Sequence, residues 1–521
     1  MLQPIQFTIF MRSFLFALLT LIVTTSFVSL SAEAPKTAND KSGKKDEKSS
    51  EEKEKKKGDS VSEHCITIDV QAISYTATAG TLPIKEENGK ERASMFYISY
   101  IAGKPEDHAQ RPITFSFNGG PGSSSVWLHM GILGPKRVKL DDFGRQTAPP
   151  FSLVENEYSI LDKTDLVFID PVSTGYSRAA EGKNAKDFHG VEQDVESVGE
   201  FILLYLTRHG RWDSPVYLIG ESYGTTRATA LAHHLQRRRG IYLNGVMLVS
   251  SVLQFQTLRF NEGNDLPYIV FLPSYTATAW FHKKLPDSLQ NQPLEAVLKR
   301  AEEFAVGEYP QALLLGDALP EAKRTQLSTR LSELTGVSQE FVKKSRLRID
   351  AFRYFKELLR EEGKTVGRFD SRFTGLDRDP LGNYPEYDPS YSDILGVFTA
   401  TLNKYLREDL KYETDLPYEI LSSQVHPWDY GSFKNRYLAT AERLRSVMTQ
   451  NPHLRVHVSS GYYDLATPYY ATEYTFNTMG LHPSLKKNLT IDYYKGGHMM
   501  YLIPSELKKQ REDLVKFLDG E

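Results

Sequence analysis

The clearest pattern along the chain is a series of short apolar runs, each bounded by polar or turn-forming residues. Stretches with helical spacing of apolar residues lie between several of these runs, as in 201–206 and 225–238. Short apolar runs that alternate with helices are typical of buried parallel strands in an α/β sheet. We therefore predict an α/β fold with strands over residues 113–117, 166–169, 216–219, 246–249 and 454–458.

Other regions of the chain depart from this pattern. Residues 66–77 and 93–101 are rich in β-forming residues and flank Asn88-Gly89, a hairpin signal. Residues 254–451 instead show amphipathic helical spacing with many Lys, Arg and Glu residues. This block interrupts the series of strands and is too long to be a loop. We predict a large, mainly helical insertion that caps the sheet, with helices over 294–304, 321–334 and 349–362.

The N-terminus has the features of an export signal. Arg12 precedes an apolar stretch over 14–30, and Ala32-Glu33-Ala34 offers small residues for cleavage. The stretch is nearly long enough to cross a bilayer, so an uncleaved membrane anchor is the alternative. Met11 is an alternative start of the protein.

A charged segment separates this signal from the rest of the chain. Residues 35–63 are mostly Lys, Glu, Asp and Ser with almost nothing apolar, which predicts a disordered linker. The folded part is expected to begin near His64. The predicted organisation is a signal peptide (1–34), a linker (35–63), a first core segment (64–253), the insertion (254–451) and a second core segment (452–521).

The composition narrows the function classes only slightly. With 40% hydrophobic residues, 25% charged residues and a net charge of −3, nothing suggests a nucleic acid or an anionic membrane as partner. Cys65 is the sole cysteine, so no intramolecular disulfide can form. A domain of this size can be stable without one, and the lone thiol favours a bacterial protein of the periplasm or the extracellular space. Cys65 borders the charged linker, which argues against a catalytic thiol.

The motif Gly220-Glu221-Ser222-Tyr223-Gly224 follows a predicted strand and precedes a predicted helix. A serine on a tight strand-to-helix turn has a strained backbone, and small neighbours let the strand and the helix approach each other. The turn lifts the Ser222 hydroxyl above the sheet and directs the N-terminus of the helix towards it. We therefore predict that Ser222 is the nucleophile of a hydrolase. A glycine-rich turn without catalysis is the alternative.

A serine hydroxyl needs a base to remove its proton, and His498 is the best-placed histidine. In such hydrolases an acid and then a histidine follow the serine, each after a later strand. His498 follows the strand-like run 489–493, and Gly496-Gly497 lets its loop approach the site. The remaining candidates lack this context: His233, His234, His426, His453 and His457.

The predicted acid is Asp464. It follows the predicted strand 454–458 and precedes His498, as the chain order requires. It would accept the hydrogen bond from Nδ1 of the imidazole and stabilise the imidazolium. Asp492 is the rival but lies within the next strand-like run, and Asp170 precedes the serine, which is the wrong order.

A second glycine-rich loop follows the first predicted strand of the core. The sequence from Asn118 to Ser125 can turn the backbone so that an N–H faces the nucleophile. We predict that the backbone N–H groups of Gly120 and Tyr223 form an oxyanion hole. A plain tight loop is the alternative.

Taken together, these motifs resemble the serine carboxypeptidase family. The likeness extends over residues 95–260 and 455–505 and leaves the insertion uncovered. The stretches that carry it are Asn-Gly-Gly-Pro-Gly-x-Ser-Ser from Asn118, Gly-Glu-Ser-Tyr-Gly from Gly220, Gly-Gly-His-Met from Gly496, and shorter ones at 133–135 and 173–177.

The resemblance implies an α/β-hydrolase fold with a central, mostly parallel sheet, no cofactor and no metal. The substrates it implies are the C-termini of peptides or proteins. It also implies that Asn118 and Glu221 bind the terminal carboxylate of the substrate. Glu221 can donate a hydrogen bond only when protonated, and burial beside a carboxylate raises the pKa of such a group, so acidic pH would favour binding.

The chain departs from the family at a few positions. The family usually has Glu at the position of Ile132, where it shares a proton with the Glu of the serine motif, and Trp at the position of Ser116. Ser123 replaces a Cys common in the family, in keeping with the absence of disulfides. Structural ion pairs and a core aromatic are expected for Arg368, Asp370, Arg372 and Trp428 of the insertion.

Two other functions are compatible with the same residues. An esterase or acyltransferase could use the same Ser-Asp-His triad, because a fold does not select a substrate. A catalytically inactive binding protein of the cell envelope is the third possibility. Against it stands the complete set Asn118, Gly120, Ser222, Asp464 and His498.

Overall fold

The structure, a computed structural model, describes residues 58–103 and 110–520. The predicted signal peptide over 1–34, and the predicted linker as far as residue 57, lie outside the described residues. Within the two described ranges, no helix is long and apolar enough to cross a membrane.

Strands and helices alternate along most of this part of the chain, and every strand predicted from an apolar run is present. The strands are β1 (Ser60–Ile68), β2 (Gln71–Lys85), β3 (Glu91–Ala102), β4 (Ile113–Phe117), β5 (Lys136–Val138), β6 (Leu153–Glu155), β7 (Asp165–Ile169), β8 (Arg178–Ala179), β9 (Val216–Glu221), β10 (Gly245–Val249), β11 (Lys364–Val366), β12 (Thr374–Leu376), β13 (Arg455–Gly461) and β14 (Leu489–Tyr494). The helices are α1 (Val126–Leu128), α2 (Val191–Arg208), α3 (Tyr223–His234), α4 (Leu266–Phe281), α5 (Asp287–Gln290), α6 (Leu294–Val306), α7 (Glu308–Leu315), α8 (Glu321–Thr335), α9 (Gln339–Lys344), α10 (Ala351–Glu357), α11 (Pro389–Glu408), α12 (Ala441–Gln450), α13 (Tyr469–Thr478) and α14 (Pro504–Asp519).

A single sheet of ten strands organises the described residues. Its order is β1-β2-β3-β7-β4-β9-β10-β13-β14, with β8 paired to β3. The strands from β7 to β14 in this order are parallel, whereas β1, β2 and β3 form an antiparallel edge. The central parallel strands are buried over their whole length, because helices cover both faces. The predicted α/β-hydrolase fold is confirmed.

Alternate residues of each central strand point to opposite faces and enter different hydrophobic clusters. In β9, Leu218 packs with α2, α3 and α12 on one face, and Ile219 packs with α1, α11 and α14 on the other. Each fully buried aliphatic side chain of this kind contributes roughly 1.5–3 kcal/mol of transfer free energy. Packing on both faces therefore stabilises the sheet that carries the candidate residues at the carboxyl ends of its strands.

The insertion does not pack as one unit. Helices α4 to α10 share a hydrophobic cluster of their own, whereas α11 and α12 pack with the sheet clusters. Leu465 and Ala471, which come after β13, belong to the cluster of α4 to α10 and tie it to the carboxyl end of the sheet. The predicted domain bounds at 254 and 451 stay a prediction. The third predicted helix of the insertion is shorter than expected, since α10 ends at Glu357.

The fold begins earlier than the charge pattern suggested. Ser60 is already in β1, where it pairs with Ala79 of β2, and the pairing continues as far as Ile68. The predicted linker therefore extends too far, over residues 60–63. Hydrogen bonds to the long strand β2 order these polar residues, although they bury little apolar surface.

A buried ionic cluster joins the elements at the start of β7. Asp165 is completely buried and forms ion pairs with Arg111 at 2.8 Å and with buried Arg211 at 2.7 Å. Its Oδ1 also accepts a hydrogen bond from the backbone N–H of Ala102 in β3. The carboxylate thus holds together segments that are far apart in the chain.

We predict that Asp165→Ala lowers the free energy of unfolding by about 3–5 kcal/mol, because Arg211 would be left as a buried, uncompensated charge. Urea unfolding followed by far-UV circular dichroism measures the change. Glu340→Ala is the control, since Glu340 and Lys344 form an exposed pair. It should leave the unfolding midpoint in place. A loss below 1 kcal/mol in the Asp165 variant would contradict the prediction.

Candidate active site

Ser222 lies on a strained turn between β9 and α3. Its backbone has φ 59° and ψ −128°, a combination that residues other than glycine rarely adopt. Gly220 makes this turn possible, because a Cβ atom there would lie 2.2 Å from the backbone oxygen of Gly224. The backbone geometry agrees with the turn inferred from the motif.

His498 and Asp464 lie side by side at the carboxyl edge of the sheet. Nδ1 of His498 is 2.8 Å from Oδ2 of Asp464, and both side chains are buried. Oδ1 of Asp464 accepts hydrogen bonds from the backbone N–H groups of Ala466 and Thr467, at 2.7 and 2.9 Å. These donors hold the carboxylate in one orientation. The imidazole is held by Phe369, whose ring stacks on it with a centroid separation of 5.0 Å.

The pKa of His498 lies above its ordinary value. Burial alone would lower it, but the charge of Asp464 and its hydrogen bond to the ring stabilise the imidazolium more strongly. The structure therefore joins the predicted base to the predicted acid and favours transient protonation of the base.

The glycine-rich loop after β4 approaches the serine turn very closely. A Cβ atom on Gly119 would lie 2.4 Å from the backbone nitrogen of Tyr223, so only glycine allows this contact. Gly120 follows with φ +102° and lines the same cavity as Ser222. The backbones of both predicted oxyanion-hole residues are thus brought together beside Ser222.

Glu221 is buried and is held by two side chains. Nδ2 of Asn118 donates to its Oε1 at 3.0 Å, and the hydroxyl of Tyr501 donates to its Oε2 at 2.5 Å. The Asn118 amide is itself oriented, because its Oδ1 accepts a hydrogen bond from the backbone of Leu128. Burial raises the pKa of Glu221 to about 7, although the Tyr501 and Asn118 hydrogen bonds act in the opposite direction. Glu221 therefore changes its charge near neutral pH.

Tyr501 is the partner of Glu221 that sequence reasoning missed. Ile132, at the position where the family usually has a Glu, is buried in the hydrophobic cluster of its face. Tyr501 is the third residue after His498. This closeness to the Gly-Gly-His-Met motif is the only signal in the sequence that could have pointed to Tyr501. A neutral phenol thus hydrogen-bonds to Glu221 in this chain.

A second missed contact positions the loop of Asn118. Arg227 in α3 is buried, forms an ion pair with buried Asp194 at 2.7 Å, and donates to the backbone oxygen of Asn118 at 2.5 Å. The guanidinium therefore links α2 and α3 to the glycine-rich loop.

Two cavities open beside Ser222. We call them the Glu221 cavity and the Phe255 cavity, each after one of its lining residues. The Glu221 cavity has a volume of about 340 Å³ and is lined by Glu221, Ser222 and His498 among others. The Phe255 cavity has a volume of about 270 Å³ and has mostly aromatic and aliphatic walls. Gly120, Ser222 and Arg368 line both cavities, so the serine lies where they meet.

The four residues of the insertion for which ion pairs or core packing were expected differ in their contacts. Asp370 and Arg372 form the expected ion pair at 2.5 Å, and Asp370 also accepts a hydrogen bond from the backbone of Gly497. Trp428 is buried and its indole donates to the hydroxyl of Tyr223 at 3.1 Å. Arg368 is the exception. Within the described residues its guanidinium has no ion pair, so the expectation of a structural pair is wrong for this residue.

The rival candidates lie elsewhere or lack partners. Asp492 is in β14, 3.7 Å from His457. Asp170 accepts a hydrogen bond from the backbone of Ser125 in the core. His426 lines the Glu221 cavity, but it has no carboxylate partner among the residues described. In the same residues, no group of His, Cys, Asp and Glu side chains is arranged to hold a metal ion.

Comparison with known proteins agrees with this geometry. The chain is 27% identical over 203 residues to serine carboxypeptidase-like 9 of Arabidopsis thaliana, a match that covers 36% of this chain and 44% of that protein. It is 30% identical over 156 residues to the pheromone-processing carboxypeptidase KEX1 of Saccharomyces cerevisiae, covering 28% of this chain and 20% of that protein. The chain thus spans less than half the length of these relatives.

A solved structure shows the same fold. The crystal structure of KEX1ΔP, a prohormone-processing carboxypeptidase from Saccharomyces cerevisiae, superposes with a TM-score of 0.54 and 17% sequence identity. The superposition covers 85% of this chain and 91% of that one. In addition, the sequence model of the serine carboxypeptidase family matches residues 70–501, which is most of the chain. The protein therefore belongs to the serine carboxypeptidase family.

Proposed function

We propose that the protein is a serine carboxypeptidase, which releases C-terminal residues from peptides or proteins through an acyl-enzyme on Ser222. The observation that carries the proposal is the common cavity of Ser222, His498 and Glu221, with Asp464 hydrogen-bonded to the imidazole at 2.8 Å. Such a cavity offers a nucleophile, a base and a carboxylate-binding group within reach of one substrate.

The proposed reaction uses each of these groups in turn. Oγ of Ser222 attacks the last peptide carbonyl while His498 takes its proton, and the N–H groups of Gly120 and Tyr223 stabilise the oxyanion. His498 then gives the proton to the leaving amine, and the C–N bond breaks. Water, activated by His498, attacks the ester and releases the shortened peptide. Asp464 keeps the imidazole in the required tautomer and stabilises its charged form.

The preference for a free C-terminus would come from Asn118 and Glu221. When Glu221 is protonated, its hydroxyl can donate to the terminal carboxylate of the substrate. When it is charged, it repels that carboxylate. The Tyr501 hydroxyl stabilises the charged form of Glu221 and would thereby set the pH at which binding is lost.

We also propose that the protein is an exported, bacterial-type member of its family. Residues 1–34 would be a signal peptide and 35–59 a linker to the catalytic part, with the folded protein in the periplasm or the extracellular space. If the signal is not cleaved, the protein would be tethered to the membrane. The lone Cys65 supports export without dependence on disulfides.

We predict that Ser222→Ala lowers kcat/KM for an N-blocked dipeptide by about 10⁴-fold or more, because the acyl-enzyme can no longer form. Release of the C-terminal amino acid measures this, and thermal unfolding checks that the variant folds. An organophosphonate should label the wild-type protein at Ser222 and leave the variant unlabelled. Unchanged hydrolysis in the variant would end the proposal.

The second prediction concerns pH. Because the pKa of Glu221 is raised to about 7, it is protonated below that pH and charged above it. We expect kcat/KM for a dipeptide with a free C-terminus to fall as pH rises through about 7. An N-blocked amino acid ester without a carboxylate should show no such fall. If both substrates lose activity alike, Glu221 does not bind the carboxylate. Efficient cleavage of the ester alone would indicate an esterase.

The third prediction concerns Tyr501. In Tyr501→Phe the hydrogen bond that stabilises charged Glu221 is lost, so the pKa of Glu221 should rise further. The fall in kcat/KM for the free-acid peptide should then move to higher pH, by about one unit. Tyr494→Phe is the matched control, since that hydroxyl donates to Asp513 instead. A shift to lower pH, or none, would contradict the assigned role.

A further inference from the structure

The Phe255 cavity has an unusual distribution of charge. Its walls include the aromatic rings of Phe255, Phe260 and Phe355. The charged side chains that line it are Arg259 and Arg368, and no carboxylate is among its lining residues. A cavity with several aromatic walls beside the nucleophile thus contains two cationic side chains and no carboxylate among the lining residues.

Neither arginine has a carboxylate partner within the described residues. The guanidinium of Arg259 lies 5.7 Å from the ring centre of Phe255, and its hydrogen-bond partner is the neutral hydroxyl of Tyr430 at 3.5 Å. The guanidinium of Arg368 lies 5.3 Å from the ring centre of Phe369 and makes no hydrogen bond to any residue of the described ranges. Nearby Arg348, in contrast, forms an ion pair with Asp265 at 2.7 Å.

The two carboxylates whose charge acts on Arg368, those of Asp388 and Asp464, already accept hydrogen bonds from other groups. Asp464 accepts the hydrogen bonds of His498 and of the backbone that follows it. Asp388 caps α11 through the backbone N–H of Ser390 and also accepts from the backbone of Arg368. Burial lowers the pKa of Arg368, the charges of Asp388 and Asp464 act in the opposite direction, and the charge of Arg259 adds a smaller lowering. Arg368 is thus only partly compensated by those carboxylates, and exposed Arg259 has a neutral hydrogen-bond partner, so both guanidinium groups are available to an incoming anion.

The place of the cavity indicates which part of a substrate would enter it. This step rests on the proposed function, in which the C-terminal residue occupies the Glu221 cavity. The Phe255 cavity lies on the other side of Ser222, next to Tyr223 and Thr467. It would therefore receive the side chain of the penultimate residue, whose carbonyl carbon is attacked.

We propose that Arg259 and Arg368 make the Phe255 cavity a subsite for an acidic side chain, so that the preferred substrates are peptides with a penultimate glutamate or aspartate. The guanidinium groups donate to the side-chain carboxylate in a charge-assisted contact. The phenyl rings pack against the aliphatic part of the side chain and exclude water, which strengthens the electrostatic attraction.

The experiment compares N-blocked peptides that end in Glu-Leu and Gln-Leu, which differ at the penultimate residue only in charge. At a pH near 6, where the Glu side chain is ionised, kcat/KM should be about tenfold higher or more for the Glu peptide. The ratio should decrease as salt is added, because the interaction is electrostatic. Equal rates for the two peptides would overturn the inference and leave the proposed carboxypeptidase activity intact. Release of leucine from neither peptide would count against the proposed function itself.

Variants of Arg259 then test whether the preference for a penultimate glutamate arises in the Phe255 cavity. Arg259→Gln should lower the Glu/Gln ratio several-fold, and Arg259→Glu should favour a Lys-Leu peptide over the Glu peptide. Arg436→Gln is the matched control, since Arg436 is an exposed arginine of the neighbouring surface and does not line the Phe255 cavity. It should keep the wild-type ratio. An unchanged ratio in Arg259→Gln would overturn the assignment of the preference to this cavity.

Discussion

The candidate site depends on one backbone constraint, the close approach of the glycine-rich loop to the turn at Ser222. The chain crosses from β9 to α3 with Ser222 at φ 59°, and a Cβ atom on Gly119 would lie only 2.4 Å from the backbone nitrogen of Tyr223. Strain of this kind persists only when the surrounding structure holds it in place. The buried strands on either side and the Arg227–Asp194 pair provide that support. Every other proposed role requires this geometry.

Charge around the turn is arranged asymmetrically. On one side of Ser222, Glu221 is buried with hydrogen-bond donors and titrates near neutral pH. On the other side, Arg259 lines a cavity with several aromatic walls, Arg368 lines both cavities, and neither guanidinium has a carboxylate partner among the described residues. The proposed terminal carboxylate and the proposed acidic side chain would therefore be bound by different means. The first depends on the protonation of Glu221, and the second depends on the permanent charge of Arg259, which lines only the Phe255 cavity of the two.

Two residues of the insertion, Arg368 and Phe369, lie beside the candidate catalytic residues at the carboxyl end of the sheet. Arg368 and Phe369 lie between β11 and β12, and Phe369 stacks on His498 while Arg368 lines both cavities. Helices α4 to α10 have a hydrophobic cluster of their own, which Leu465 and Ala471 join to the carboxyl end of the sheet. Such a division lets a family keep its chemistry while the side chains that meet the substrate change.

The sequence by itself determined the α/β pattern, the turn at Ser222, and the pairing of His498 with Asp464. The first two follow from local rules, since hydrophobic period and turn residues act over a few neighbouring residues, whereas the pairing follows from the order in which the serine, the acid and the histidine occur in this fold. Only the tertiary structure decided that Tyr501 hydrogen-bonds to Glu221, that Arg227 holds the loop of Asn118, and that Arg368 lacks an ion pair. The order of residues 60–63 also came from pairing with a distant strand. Such contacts join residues far apart in the chain, and they depend on how whole elements pack rather than on any local pattern.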